Sequence, residues 1–390
     1  MRRTLLVPFQ LFSQRGSWQA YTRQRLVKQV GTALVALLGV LACSRTSAPV
    51  YIGVAGPWKE AFGRMNKQGI DLALAEINAR GGVRGRPLRL VERDDDGIGS
   101  RAAAIAGEFV ANRSIVAVVG HVTSGAMMAA APVYQQGLAA IATTASSPDL
   151  SGISEWAFRV ITSDSANGID MARFATARGF RRVAILYEND AYGRGLAESF
   201  RNGYNGQVVA MDPIPSDGSS LEPYVSYLRV RAPDLVFVAG TDASGKTFLR
   251  EARRQALNAA YMGGDGWTPL ALDTALAEGA FVGAPFSAED PRGEAQRFVR
   301  AYRDRYHEDP DGNAALAYDA TMLLASAIEH VGPSRSAIRE WLADLAFSEP
   351  HAGVTGLIAF RPSGDVIGRG IVMTRVRGGS LVVERGGAGS

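Results

Sequence analysis

A second cysteine is missing from this 390-residue chain; Cys43 stands alone. No internal disulfide can form, and four scattered histidines (His121, His307, His330, His351) leave no zinc-type spacing. Also lacking is a long apolar run at the N-terminus: Val30–Ala42 is uncharged for thirteen residues, whereas a bilayer takes about 20. No P-loop, GxGxxG, HExxH or GxSxG pattern occurs, which removes the common nucleotide, zinc-protease and serine-hydrolase signatures. Low-complexity tracts and Pro/Gly/Ser linkers are missing too, so the composition is that of an ordinary globular protein.

Charge of one sign is missing only at the N-terminus. Residues 1–42 hold Arg2, Arg3, Arg15, Arg23, Arg25 and Lys28 and no acid. The whole chain carries 42 Lys and Arg against 38 Asp and Glu, a net +4; beyond Ala42 the balance is 36 against 38, a net −2. That near-neutral remainder offers no electrostatic footprint for nucleic acid. A basic segment, a short apolar run and a small residue before a cut site are the marks of an export signal, which sets residues 1–42 as a signal peptide. Val40-Leu41-Ala42-Cys43 resembles the bacterial lipobox, whose cysteine is acylated, so Cys43 is expected to be a lipid anchor. The 348 residues beyond Ala42 exceed what one core usually supports, so two domains are expected.

From Val50 onward short β-rich runs alternate with helical periodicity. Val50–Val54, Leu88–Glu92 and the fully apolar Ile115–Val119 read as strands; Ile70, Ala73, Leu74 and Ile77 share one helical face, which Gly81-Gly82 ends. Alternation resumes with strands at Arg182–Tyr187, Gln207–Met211, Leu235–Ala239 and Tyr261–Met262. A helix carrying Leu221, Val225 and Leu228 lies between them, with Ser219 or Ser220 as its cap. Apolar strands of this kind belong to parallel sheets covered on both faces. Two blocks of βαβ units therefore predict two doubly wound α/β lobes joined by several short crossings.

The ordered series LALAEINARGGVRGRPLRLVERDDDG (72–97), VAVVGHVTSGA (116–126), ATTASSPDL (142–150), FRVITSD (158–164), RVAILYENDAYGRGLAESF (182–200), LVFVAG (235–240), YMGGDGW (261–267) and LAYDATMLLASAIEH (316–330) resembles the branched-chain amino acid (Leu/Ile/Val) type of periplasmic solute-binding protein. The resemblance spans roughly Val50 to Val331. It implies two α/β lobes joined by a three-segment hinge that closes over a ligand. Residues 49–161 with about 288–345 would form the N-terminal lobe, and 162–287 with about 346–390 the C-terminal lobe. It also implies a non-enzymatic monomer without cofactor or metal that hands a small solute to an inner-membrane ABC permease.

Ligands of open α/β sheets sit beyond the carboxyl ends of strands. Gly120–Ser124 follows one such strand and opens a helix from about Gly125, whose free N–H groups and dipole favour an anion. The resemblance gives Ser124 the carboxylate of an amino acid, Thr144 and Ala145 backbone groups, and Ser146 a hydroxyl, in a loop that Pro148 keeps from becoming helix. It places Asp265, flanked by Gly263, Gly264 and Gly266, opposite the ligand's ammonium group. Those glycines would let backbone approach the ligand closely. Phe62 and Tyr192 are candidate aromatic walls, and Thr241 stands where branched-chain binders carry a bulky tyrosine, leaving room for another side chain.

Three functions are distinguishable in principle. The chain is expected to capture a zwitterion, an amino acid, for an ABC importer. A second reading is a ligand sensor of the same fold signalling to a membrane receptor, and within the fold an aromatic acid or amide could replace the amino acid. A third, an exported hydrolase using Ser124 and His121, lacks a nucleophile elbow and any recognisable orienting acid; Asp94-Asp95-Asp96 reads as an acidic turn at a strand end.

Overall fold

A computed structural model describes residues 48–215 and 219–384; the leader and Cys43 lie outside the described residues. Five parallel strands form the first sheet, in the order β2-β1-β3-β4-β5: β1 (Val50–Gly56), β2 (Leu88–Asp94), β3 (Ile115–Val119), β4 (Ala140–Ala142) and β5 (Ala157–Arg159). The second sheet has as its parallel part β6 (Arg182–Glu188), β7 (Gln207–Ile214), β8 (Leu235–Ala239), β9 (Ala260–Gly263) and β10 (Phe281–Ala284). Between β10 and the antiparallel pair β13 (Val372–Arg377) and β14 (Ser380–Val383) comes a small hairpin, β11 (His351–Gly353) and β12 (Gly356–Ile358). The order across the second sheet is β14-β13-β10-β9-β8-β6-β7.

Strand β8 shows why continuous apolar runs fold this way. Val236 and Val238 enter the core on one face of the second sheet, while Leu235, Phe237 and Ala239 enter the core on the other. With a side-chain period of two and helices on both faces, no position is left for a polar residue. Helix α1 (Ala61–Ala79) buries Met65, Ile70, Ala73 and Ile77 along one stripe and ends at Gly81 and Gly82, both at positive φ. Ahead of the helix Glu222–Arg231 the Ser220 hydroxyl accepts from Glu222 N at 3.1 Å, but Leu221 occupies the cap position.

The chain passes between the sheets three times: after β5, after β10, and before β13. The last passage lies later than the expected boundary near residue 346. Phe360 packs on Phe158, ring centroids 5.0 Å apart, and Arg159 Nε donates to Asp365 Oδ1 at 2.6 Å. Val354, Ile358, Ala359 and Val366 join the core of the first sheet. Residues 351–366 thus complete the first lobe, because their apolar side chains cover Phe158 and not the second sheet.

Candidate functional site

A cavity of about 190 Å³ opens at the carboxyl ends of β1, β3 and β4 on one side and of β6, β8 and β9 on the other. Phe62, Val122, Ser124 and Thr144 line it from the first sheet's side, and Asp190, Tyr192, Thr241 and Asp265 from the second. An engineered cavity of about 150 Å³ holds the six heavy atoms of benzene, so this one encloses about eight heavy atoms of a solute.

Ser124 opens helix α2 (Ser124–Tyr134), and the cap is one residue earlier: Thr123 Oγ1 accepts from Ala126 N at 3.4 Å. The first N–H groups of that helix have no carbonyl to meet. Ser124 is almost fully buried and its Oγ accepts from Ser147 N at 3.1 Å, which leaves its hydroxyl hydrogen free to donate. A buried donor at a helix N-terminus is suited to a carboxylate. Thr144 donates its hydroxyl to Val122 O at 3.0 Å and so ties two wall-forming loops together.

Two expected residues lie behind the wall. Ala145 is buried in the core under α2, and Ser146 donates its hydroxyl to Asp164 Oδ2 at 2.8 Å. Neither side chain lines the cavity. Of Thr144, Ala145 and Ser146, only Thr144 lines the cavity.

On the opposite wall Tyr192 donates to Asp265 Oδ1 at 2.9 Å, and Gly266 N donates to the Tyr192 oxygen at 3.1 Å. Burial lifts the Asp265 carboxyl to about 6; hydrogen bonds from Tyr192 and the backbone hold it back, and the charge of Asp311 adds to the lift. Asp164 is pushed well above the usual carboxylate range, first by burial and then by the charge of Asp265. Among the described residues no Lys, Arg or His lines the cavity. An arriving cation would relieve this clustered negative charge.

The glycines beside Asp265 are required by packing within the protein. A Cβ at Gly263 would sit 2.1 Å from the Trp267 ring, and one at Gly266 would sit 2.6 Å from Gly240 O. Both are needed for close packing of backbone on neighbouring segments.

The pairing of His121 has no signal in the sequence. Its Nδ1 lies 2.6 Å from Asp95 Oδ2 and its Nε2 lies 3.0 Å from Tyr134 Oη, all three side chains buried. An orienting acid does exist, but both ring nitrogens are engaged away from Ser124, and no nucleophile–base pair forms. Asp190 and Asn313 also line the cavity without standing out in the sequence: Asp190 reads as a helix cap, and Asn313 lies far along the chain with no motif around it.

Residues 49–380 match the family model described as periplasmic binding protein. The chain belongs to that family. An amino acid binding protein of Pseudomonas aeruginosa is 29% identical over 355 residues, 86% of this chain and 92% of the relative. The Leu/Ile/Val-binding protein of Escherichia coli is 30% identical over 262 residues, 64% of this chain and 71% of its own. Among solved structures, an ABC transporter substrate-binding protein from Desulfitobacterium hafniense in complex with Leu is 32% identical. Its TM-score is 0.76, over 87% of this chain and all of that one. The two-lobed α/β architecture expected from the sequence is that of the family. No described helix is long and apolar enough to cross a membrane.

Proposed function

We propose that this chain is the extracytoplasmic solute-binding component of an ABC importer, capturing an amino acid between its lobes. One observation carries the reading: a free buried hydroxyl at a helix N-terminus, Ser124, faces a tyrosine-braced carboxylate, Asp265, across a cavity of amino-acid size. The first suits a carboxylate and the second an ammonium group, so the zwitterion is matched at both ends. Relatives named for amino-acid binding support the assignment. Cofactors, metals and catalysis have no part in it. Residues 1–42 would direct export, acylated Cys43 would hold the protein at a membrane, and a monomer would deliver its ligand to an inner-membrane permease.

Calorimetric titration of residues 44–390 with the twenty amino acids, an aromatic acid and an amide tests the reading. Micromolar or tighter binding of at least one α-amino acid is expected. Binding confined to the acid or the amide would overturn it.

A further inference from the structure

The second-lobe wall of the same cavity narrows the class of amino acid, a step that rests on the proposed amino-acid function. Asp190 lies exposed at the start of helix α3 (Ala191–Gly203), where its Oδ1 accepts from Gly193 N at 2.8 Å. Among the described residues no donor reaches its Oδ2. Thr241 donates its one hydroxyl hydrogen to Glu188 Oε1 at 2.7 Å, and Tyr192 donates its own to Asp265. Every polar side chain that this wall presents has only acceptor capacity left.

The opposite wall is different, since Ser124 keeps a hydrogen to give. A ligand ammonium at Asp265 would answer one of the two carboxylates, and among the described residues no lysine, arginine or histidine lines the cavity to answer the other. An aliphatic side chain reaching this wall would cover Asp190 and Thr241 without offering a donor. Buried acceptors left unpaired are costly, and sites built for hydrogen bonds reject analogues that lack them. Thr241 is a short side chain on the same wall, so a longer ligand side chain has room to reach Asp190.

We infer that the ligand is a diamino acid whose side-chain cation pairs with Asp190, with Thr241 accepting from the same group. Asp190 is then the residue that selects against aliphatic amino acids.

L-ornithine and L-norleucine test this, because they have equal numbers of heavy atoms and differ by a terminal ammonium in place of a methyl. Asn caps helices as well as Asp does, so Asp190→Asn removes charge and keeps the fold; Asp190→Ser, also a capping residue, replaces it if melting shows otherwise. By calorimetry, wild type should bind ornithine at least about tenfold tighter than norleucine, and Asp190→Asn should weaken ornithine about tenfold or more while moving norleucine less than about threefold. Equal affinity, or tighter norleucine, overturns the inference and leaves the amino-acid function intact. An ornithine preference that survives the substitution overturns the role of Asp190. If no α-amino acid binds, the amino-acid function itself falls and takes the diamino acid with it.

Discussion

Tyr192 and Asp265, 73 positions apart in sequence, meet at 2.9 Å, and the tyrosine oxygen is itself held by the N–H of Gly266. The pair fixes a carboxylate at a cavity wall. Asp265→Asn keeps the shape and removes the charge. Truncating one member of a buried hydrogen-bonded charge pair costs about 2–5 kcal/mol, so amino-acid affinity should fall roughly 30-fold to several thousand-fold by calorimetry. Tyr192→Phe removes only a neutral donor and should cost about 1 kcal/mol, several-fold in affinity. An Asp265→Asn variant within about threefold of wild type would end the ammonium role.

Affinity should depend on pH with a definite sign. Burial places the Asp265 carboxyl at about 6 in the ligand-free protein, above the ordinary value of about 3.9. An ammonium ligand needs the ionised form, so binding releases a proton at low pH. From pH 7 to pH 5 affinity should drop about tenfold through this group alone. Stability of the ligand-free protein should move the other way: a raised carboxyl binds more protons folded than unfolded, so this group's contribution improves as pH falls from about 6 toward 4. Titrations in buffers of different ionisation enthalpy at pH 5.5 would count the released proton. Zero release would refute the linkage.

Ser124→Ala should weaken a carboxylate ligand by about 1–2 kcal/mol, five- to thirty-fold, since the helix N–H groups remain. The same substitution strips the acceptor from Ser147 N, 3.1 Å from Ser124 Oγ, and should lower stability by about 1 kcal/mol. Denaturant unfolding and calorimetry separate the two effects; a loss of stability with affinity unchanged would confine Ser124 to a packing role.

Ligand should draw the lobes together, because three short passages join two sheets that share one cavity. Small-angle scattering at saturating ligand should give a smaller radius of gyration than without it. An identical radius would mean a preformed pocket.

Protein recovered from its host should begin at an acylated Cys43, which mass spectrometry reads directly. Met1 retained, or Cys43 unmodified, would remove the lipid anchor from the proposal. Cys43→Ser should release soluble protein that binds as before, an acyl chain being remote from the cleft.

Much of the molecule is legible in its sequence, for identifiable reasons. Leu235–Ala239 announces a strand buried on both faces, and it alternates between two cores. Phe62, Ser124, Thr144, Tyr192, Thr241 and Asp265 all line one cavity, and they can be found because strand ends and helix starts are marked locally by glycines and hydroxyls. The side chains of Ala145 and Ser146 fall behind its wall because each is held by what lies beneath, the α2 core for one and Asp164 for the other. Nor can a sequence reveal Asp95 beside His121: the two sit in different loops, and only the order of strands brings those loops together. The late boundary of the first lobe is hidden for the same reason, since Asp365 finds Arg159 across 206 positions.

The pairing of Arg159 with Asp365 also orders how the protein comes into being. Synthesis delivers β6 to β10 as one uninterrupted stretch, while the first lobe still awaits the segment ending at Asp365. The lobe that begins the chain therefore cannot be finished until near the end of synthesis, just before β13 and β14 complete the second sheet, and its own sheet stays uncovered at Phe158 until Phe360 has emerged. For a chain bound for export, that delay keeps the first lobe's sheet open until late in synthesis.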